Sequence, residues 1–270
     1  MNETDDSQAG VDGQSFLSMF VHELRTPLTA LRGSLGLLTC AVESAAPEVR
    51  SFAAIADRSA DRLASMLDDV AEYWRLNDPS TRLNCGHTDI ADTVQRAIEQ
   101  VQDLIDERGI VLDVQTPPAG ATIDPALVRT AVARLLSYAL RVSPTKSTLH
   151  VRIETVDSAA AAAHPPAPDG RDLPGIDAVA AVSRLPSAED RAKPGSSIVV
   201  SVSDGGSVVA AESAARMFEP FSAAARGRAE QAMRPGLGHA IALRIATLHG
   251  GSLVFTSTEQ GGLFSLRLPA

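Results

Sequence analysis

The sequence predicts an α + α/β chain: an N-terminal antiparallel helical hairpin, forming a four-helix bundle on dimerisation, followed by a two-layer α/β sandwich. Three observations predict it. Apolar residues recur at steps of three and four through residues 17–42 and again through 52–73, the spacing of a coiled-coil seam. A cluster of turn formers, Asn77-Asp78-Pro79-Ser80 through Cys85-Gly86, comes next. From His87 onward the period changes to helices alternating with strands, the pattern of a layered α/β domain.

Taken in order, residues 1–14 are polar, acidic and glycine-containing, and are expected to form a disordered tail. Residues 15–76 form the hairpin. Its first seam runs through Leu17, Val21, Leu24, Leu28, Leu31, Leu35, Leu38 and Val42, and its second through Phe52, Ala56, Ser59, Leu63, Met66, Val70 and Tyr73. Ser44 to Pro47 supplies the turn, with Pro47 suited to a first helical position. Residues 77–86 are the linker, and 87–270 the sandwich. Within the sandwich, helices are expected over Ile90–Glu107, Pro125–Val142 and His239–Leu248. Strands are expected over Ile110–Gln115, Leu149–Thr155, Ser197–Ser203, Ser252–Ser257 and Leu263–Leu268. Alternation along these strands predicts a sheet with one face covered by helices and one wet. Residues 158–195 are dense in Ala and Pro without a sustained apolar period, and read as a flexible insertion with short helical pieces around Ile176–Val182.

Composition narrows the classes. No stretch approaches the roughly 20 apolar residues that span a bilayer, and no signal peptide opens the chain, so a cytoplasmic protein without membrane insertion is expected. A net charge of −9 argues against a nucleic-acid groove. Cys40 and Cys85 lack metal-ligand spacing and read as buried free thiols, and no metal site is expected from side-chain clusters.

The chemistry concentrates first at His22-Glu23-Leu24-Arg25-Thr26-Pro27-Leu28. His22 falls beside the seam and points to water, with Thr26 one turn on along the same flank. A neutral imidazole serves as proton carrier, metal ligand or nucleophile near pH 7, and Glu23 holds one ring nitrogen's proton to sharpen the other. Pro27 lacks an amide proton and loosens the helix, which lets another domain approach. An isolated His-Glu pair is most often just a solvated surface pair.

The whole string, however, resembles the H-box of sensor histidine kinases. That resemblance implies that His22 accepts a phosphoryl group, Glu23 acts as its base and Thr26 helps position the transfer. It implies a homodimer through residues 16–76 and a response-regulator receiver domain as partner. The second domain resembles the ATP-binding sandwich of the same family, which implies ATP and Mg²⁺ as cofactors. Asp204-Gly205-Gly206 resembles the start of the first glycine box, whose Asp accepts from the adenine amino group. Phe218-Glu219-Pro220-Phe221 is similar to the F-box, and Gly236-Leu237-Gly238-His239 to the second glycine box, where glycines before a helix let amides meet phosphate oxygens.

The chain also departs from that pattern. Val208 stands where a further Gly is expected, Arg234 replaces a Gly, and His239 replaces an apolar residue. In the helix after Pro125, Arg134-Leu135-Leu136-Ser137-Tyr138-Ala139-Leu140-Arg141 aligns with a box reading Asn-Leu-Leu-x-Asn-Ala-x-Lys, whose second Asn carries Mg²⁺. Tyr138 holds that place, and a neutral phenol is a poor ligand for a cation that wants hard oxygens in octahedral geometry. Arg141 takes the Lys position as a planar fork rather than a point charge. Autophosphorylation is therefore expected to be weak or lost, since phosphoryl transfer depends on offsetting the developing charge. Three functions follow. The first is an ATP-dependent kinase that phosphorylates His22 and passes the group to a receiver aspartate. The second is a histidine phosphotransfer protein or pseudokinase whose sandwich serves as a docking module. The third is a non-catalytic scaffold that regulates a partner kinase or regulator.

Overall fold

The computed structural model describes residues 24–25, 28–38, 47–157, 180–184, 196–220 and 236–270, so His22, Glu23, Thr26, Arg234 and Phe221 lie outside the described residues. The chain divides into two compact units, Met1–Thr81 and Arg82–Ala270. No helix among the described residues is long and apolar enough to cross a membrane.

In the first unit, residues 24–25 and α1 (28–38) are helical, and α2 spans Pro47–Asn77. Two ion pairs set their relation. Arg25 meets Asp68 at 2.5 Å and Arg32 meets Asp61 at 2.6 Å, so seven residues forward on one helix match seven back on the other. That is an antiparallel hairpin in fixed register. Within one chain Leu28 is buried, as are Ala53 and Ala60 beside the expected second seam, while the seam residues Leu31, Leu38, Phe52 and Leu63 are exposed.

The second unit is built on a six-stranded sheet of order β2-β4-β6-β8-β7-β5. Its strands are β2 (Val111–Gln115), β4 (Thr148–Asp157), β5 (Ala180–Arg184), β6 (Ser196–Ser203), β7 (Ser252–Thr258) and β8 (Gly261–Pro269). β2 and β4 are parallel and the other neighbours antiparallel. A separate pair joins β1 (Gly86–Asp89) to β3 (Gly120–Ile123). The register brings Val151, Val202 and Phe264 into one row, and Ile153, Val200, Leu266 and Leu253 into the next. Helices α5 (Pro125–Val142) and α7 (Gly238–Leu248) pack side by side, each touching the sheet, with α3 (Ile90–Glu99) flanking α5.

Local chemistry accounts for the helix ends. Asp124 caps α5 by accepting from the amides of Ala126 and Leu127 at 3.1 and 3.2 Å, with Pro125 at the first turn. His249, just past α7, ties the two helices: its Nε2 accepts from the Asp124 amide at 3.0 Å while Nδ1 lies 2.8 Å from the Ile245 carbonyl. Those partners assign a neutral ring protonated on Nδ1.

Four expectations are corrected. The helix expected over 90–107 breaks in two, α3 and α4 (Gln102–Arg108), because the β-branched Val101 turns out of helical geometry (φ −111°, ψ 11°) and buries its side chain. The stretch read as a structureless insertion over 158–195, with helical pieces near 176–182, contains β5, an edge strand whose Val182 sits opposite Phe255. The helix-free face is less wet than expected, since Val199, Val254 and Ser265, which alternate with the helix-side residues, are also buried. Cys85 is exposed rather than buried.

Candidate nucleotide site in the sandwich

Asp204 follows β6 directly, so the strand ladder sets its position. Its amide donates to the Gly262 carbonyl at 2.8 Å, and the Gly262 amide returns a bond to Asp204 Oδ1 at 3.0 Å. The Gly206 amide reaches the same oxygen at 2.8 Å. Behind the turn, the Gly205 amide donates to Ser143 Oγ at 3.1 Å, anchoring the loop to the end of α5.

Two glycines facing Asp204, Gly261 and Gly262, are demanded by space. A Cβ at Gly261, whose φ is +138°, would stand 2.0 Å from the Asp204 carbonyl oxygen. One at Gly262 would stand 2.6 Å from the Phe255 ring and 2.7 Å from Asp204 Oδ2. Asp204 is thereby sunk in the fold, and burial pushes its carboxyl above the ordinary range, opposed by the Gly262 and Gly206 amides. A buried carboxylate with two amides on one oxygen is a fixed acceptor, suited to an amino group on a planar base. Val208, by contrast, is exposed in the loop beyond.

The other wall is aromatic. Tyr138 on α5 meets the ring of His239 edge-on at 4.5 Å and that of Phe264 at 5.6 Å, and His239 stacks on Phe264 at 4.9 Å. Phe218, from the F-box string, completes the group 6.4 Å from His239. Burial, reinforced by the charge of Asp204, raises the Tyr138 phenol further above its usual range. His239 is only 2% exposed, and neither ring nitrogen has a hydrogen-bond partner. Burial holds its pKa down at about 4, against a weaker opposite pull from the Met217 carbonyl, which does not reach hydrogen-bond geometry. The imidazole is neutral near pH 7.

Gly236 takes a left-handed φ of +68° and turns the chain into α7, whose first turn has no side-chain cap. Amides without a side-chain cap at a helix start are the kind that receive phosphate oxygens. Arg134 passes beside it: a Cβ at Gly238 would lie 3.9 Å from Arg134 Cδ. Arg141 lies half-buried in the last turn of α5.

The structure thus brings Asp204, Gly206 and Tyr138 to one place and sets Gly236 and Gly238 at the turn into α7 beside it. Sequence reasoning missed Ser143, Gly261, Gly262 and Phe264. A Gly-Gly pair opening a strand was the available signal for close backbone approach. The acceptor at Asp204 and the open start of α7 fit an adenine nucleotide. They do not fit Mg²⁺: the expected ligand is a phenol packed against two rings, and among the described residues no three His, Cys, Asp or Glu side chains gather as a metal site.

Comparison with known proteins adds family context. Residues 14–79 match the His Kinase A (phospho-acceptor) domain, and residues 178–270 match the histidine kinase-, DNA gyrase B- and HSP90-like ATPase. The sensor histidine kinase CusS of Escherichia coli K12 is 25% identical over 95% of this chain and 45% of its own length. The sensor-like histidine kinase SenX3 of Mycobacterium tuberculosis H37Rv is 26% identical over 95% of this chain and 54% of its own. The chain therefore spans about half the length of these curated relatives. Full-length ShkA, solved with AMPPNP, shares the fold at a TM-score of 0.64 and 22% identity over 94% of this chain and 45% of its own. The histidine kinase AdeS of Acinetobacter baumannii does so at 0.54 and 18% identity, over 92% of this chain and 97% of its own.

Proposed function

Because the chain belongs to the sensor histidine kinase family, we propose that it is a two-component signalling kinase whose phosphoacceptor is His22. What supports this reading is the His22-to-Leu28 string in the sequence, whose described residues Arg25 and, further on, Arg32 pair with Asp68 and Asp61 of the second helix in antiparallel register. In this reading an imidazole nitrogen of His22 attacks the γ-phosphorus of ATP. A P–N bond forms as the β,γ-bridging P–O bond breaks, and Glu23 takes the ring proton. Thr26 orients the transfer. A receiver-domain aspartate then attacks the same phosphorus, and the P–N bond breaks.

Asp204 would hold the adenine amino group, and Gly236, Gly238 and Arg141 the phosphates. The exposed seam residues Leu31, Leu38, Phe52 and Leu63 support a homodimer, since a second hairpin covers them in a four-helix bundle. The cytoplasm, which holds ATP and receiver domains, is the compartment this reading requires.

A second reading rests on one observation, the packing of Tyr138 into the aromatic group in place of a metal ligand. His22 is then loaded mainly by reverse transfer from a phosphorylated receiver. The test is to incubate the protein with γ-labelled ATP, or with a phosphorylated receiver domain, and count acid-labile phosphate. Label on the parent and none on His22→Ala supports His22 as the acceptor, and the label's source separates the two readings. Equal acid-labile phosphate on His22→Ala would sink both.

A further inference from the structure

We propose that Ser143 is a positioning residue for base recognition: its hydroxyl holds the loop that presents Asp204, and through that loop it sets a preference for adenine over guanine. The inference rests on the reading of Asp204 as acceptor for the adenine amino group and deepens it. Ser143 is the first residue past α5, and Pro144 after it disfavours helical geometry, so its backbone turns extended (φ −67°, ψ 147°). Both sides of the residue are tied. Its amide donates to the Ala139 carbonyl at 3.0 Å, and its carbonyl accepts from Arg108 Nη2 of α4 at 2.7 Å. Held in this way and only 1% exposed, Ser143 offers its hydroxyl as a fixed point.

That hydroxyl accepts from the Gly205 amide at 3.1 Å, and the next amide along, of Gly206, is the one that reaches Asp204 Oδ1 at 2.8 Å. Gly206 also sits against the end of α5, where a Cβ on it would stand 3.1 Å from Val142 Cγ2. The turn is thus pinned by α5 on one side, while Gly262 of β8 holds Asp204 from the other. Both amides fall on Oδ1, and Oδ2 accepts no hydrogen bond among the described residues, which leaves it for the base. A carboxylate oxygen separates the purines by sign, because adenine carries an amino donor where guanine carries a carbonyl acceptor. The separation needs that oxygen in one place, since a hydrogen bond weakens steeply when misaligned. Without the Ser143 hydroxyl the Gly205 amide loses its acceptor, the turn is released to find another, and the carboxylate is held by β8 alone.

The experiment is calorimetric titration of ATP, and separately GTP, into the full chain and into its Ser143→Ala variant, in excess MgCl₂ and again in EDTA. The parent should bind ATP at least tenfold more tightly than GTP. Ser143→Ala, with its circular dichroism unchanged, should lose at least fivefold of that ratio through weaker ATP binding alone. Ser143→Thr, which keeps the hydroxyl, should return the ratio to within twofold of the parent's. A ratio kept by Ser143→Ala, or ATP and GTP weakened alike, overturns the proposal and leaves Asp204 as the adenine acceptor. A folded Ser143→Thr with a ratio as low as that of Ser143→Ala overturns it too. A parent that binds neither nucleotide in both buffers, or binds the two equally, overturns the reading of Asp204 itself, and the proposal falls with it. Should Ser143→Ala fail to fold, Ser143→Cys takes its place with the same loss expected, since a thiol fills the site and accepts hydrogen bonds only weakly.

Discussion

Asp204 and Tyr138 line two walls of one site, and the chain treats them in opposite ways. Around Asp204 the backbone does the work: two amides share one carboxylate oxygen, and glycines at 206, 261 and 262 make room. Around Tyr138 side chains do it, through rings stacked or edge-on at 4.5 to 5.6 Å. A backbone cradle tolerates almost no substitution, because neither amides nor space can be restored by repacking. A side-chain wall can exchange a polar ligand for an aromatic one and still be well packed. The backbone wall is therefore the less replaceable of the two, and the aromatic wall the more tolerant of exchange.

The largest effect should come from breaking the cradle. Gly261→Ala places a Cβ 2.0 Å from the Asp204 carbonyl oxygen at a backbone angle hostile to L-residues. A loss of at least about 3 kcal/mol is expected in the sandwich, with nucleotide binding abolished. Thermal melting by circular dichroism measures it. Trp74, the chain's one tryptophan, sits in α2, so its fluorescence is a control for the hairpin.

On the aromatic wall, His239 gives a pH signature. Its folded pKa of about 4 lies below its ordinary 6.5, so between these values the unfolded chain binds more protons. Stability is then fully present above pH 6.5 and is lost as pH falls toward 4, by an amount on the order of 3 kcal/mol. Asp204 acts oppositely, because its raised carboxyl costs stability as pH rises past the ordinary carboxylate value. The difference between parent and His239→Leu isolates the imidazole: the variant's stability curve should be flatter from pH 6.5 to 4. Parallel curves would mean that the ring titrates normally.

Tyr138→Asn probes the aromatic wall directly. Removing two ring contacts should cost about 1–3 kcal/mol, since each aromatic pair contributes roughly 0.5–1.5 beyond its area. The same change puts an amide oxygen on α5 between Arg134 and Arg141. ATP affinity should then become tighter in MgCl₂ than in EDTA, and no change in that ratio would show that the phenol was never the obstacle.

How much of this was legible in the sequence follows from the range of the interactions. α5 spans Pro125–Val142 as expected, because Asp124 and Pro125 are local start signals and Pro144 a local stop. Asp204 and Gly206 were legible as a loop after an apolar strand. β1 and β3, four residues each, were too short to carry a period, and Ala180–Arg184 was masked by its Ala-rich surroundings although pairing with β7 makes it a strand. Gly261 and Gly262 were hidden for another reason: their partner is Asp204, 58 residues before Gly262. That His239 is buried between rings, rather than facing solvent at a helix start, is likewise a tertiary fact that no local pattern carries.

The smallest effect belongs to the hairpin, where the contacts are exposed. Arg32 and Asp61 are half-exposed at 50% and 52%, and pairs of this kind contribute roughly 0.2–1 kcal/mol in double-mutant cycles. The cycle Arg32→Ala, Asp61→Ala and the double variant, followed by Trp74 fluorescence, should return a coupling in that range that shrinks as salt is raised. Register is the more demanding reading of the pair: when either bridge is lost, the other, one heptad away, still keeps the helices aligned. Removing both bridges together should therefore broaden the unfolding transition more than the sum of the single losses predicts, whereas strict additivity would assign the register to the apolar seam alone.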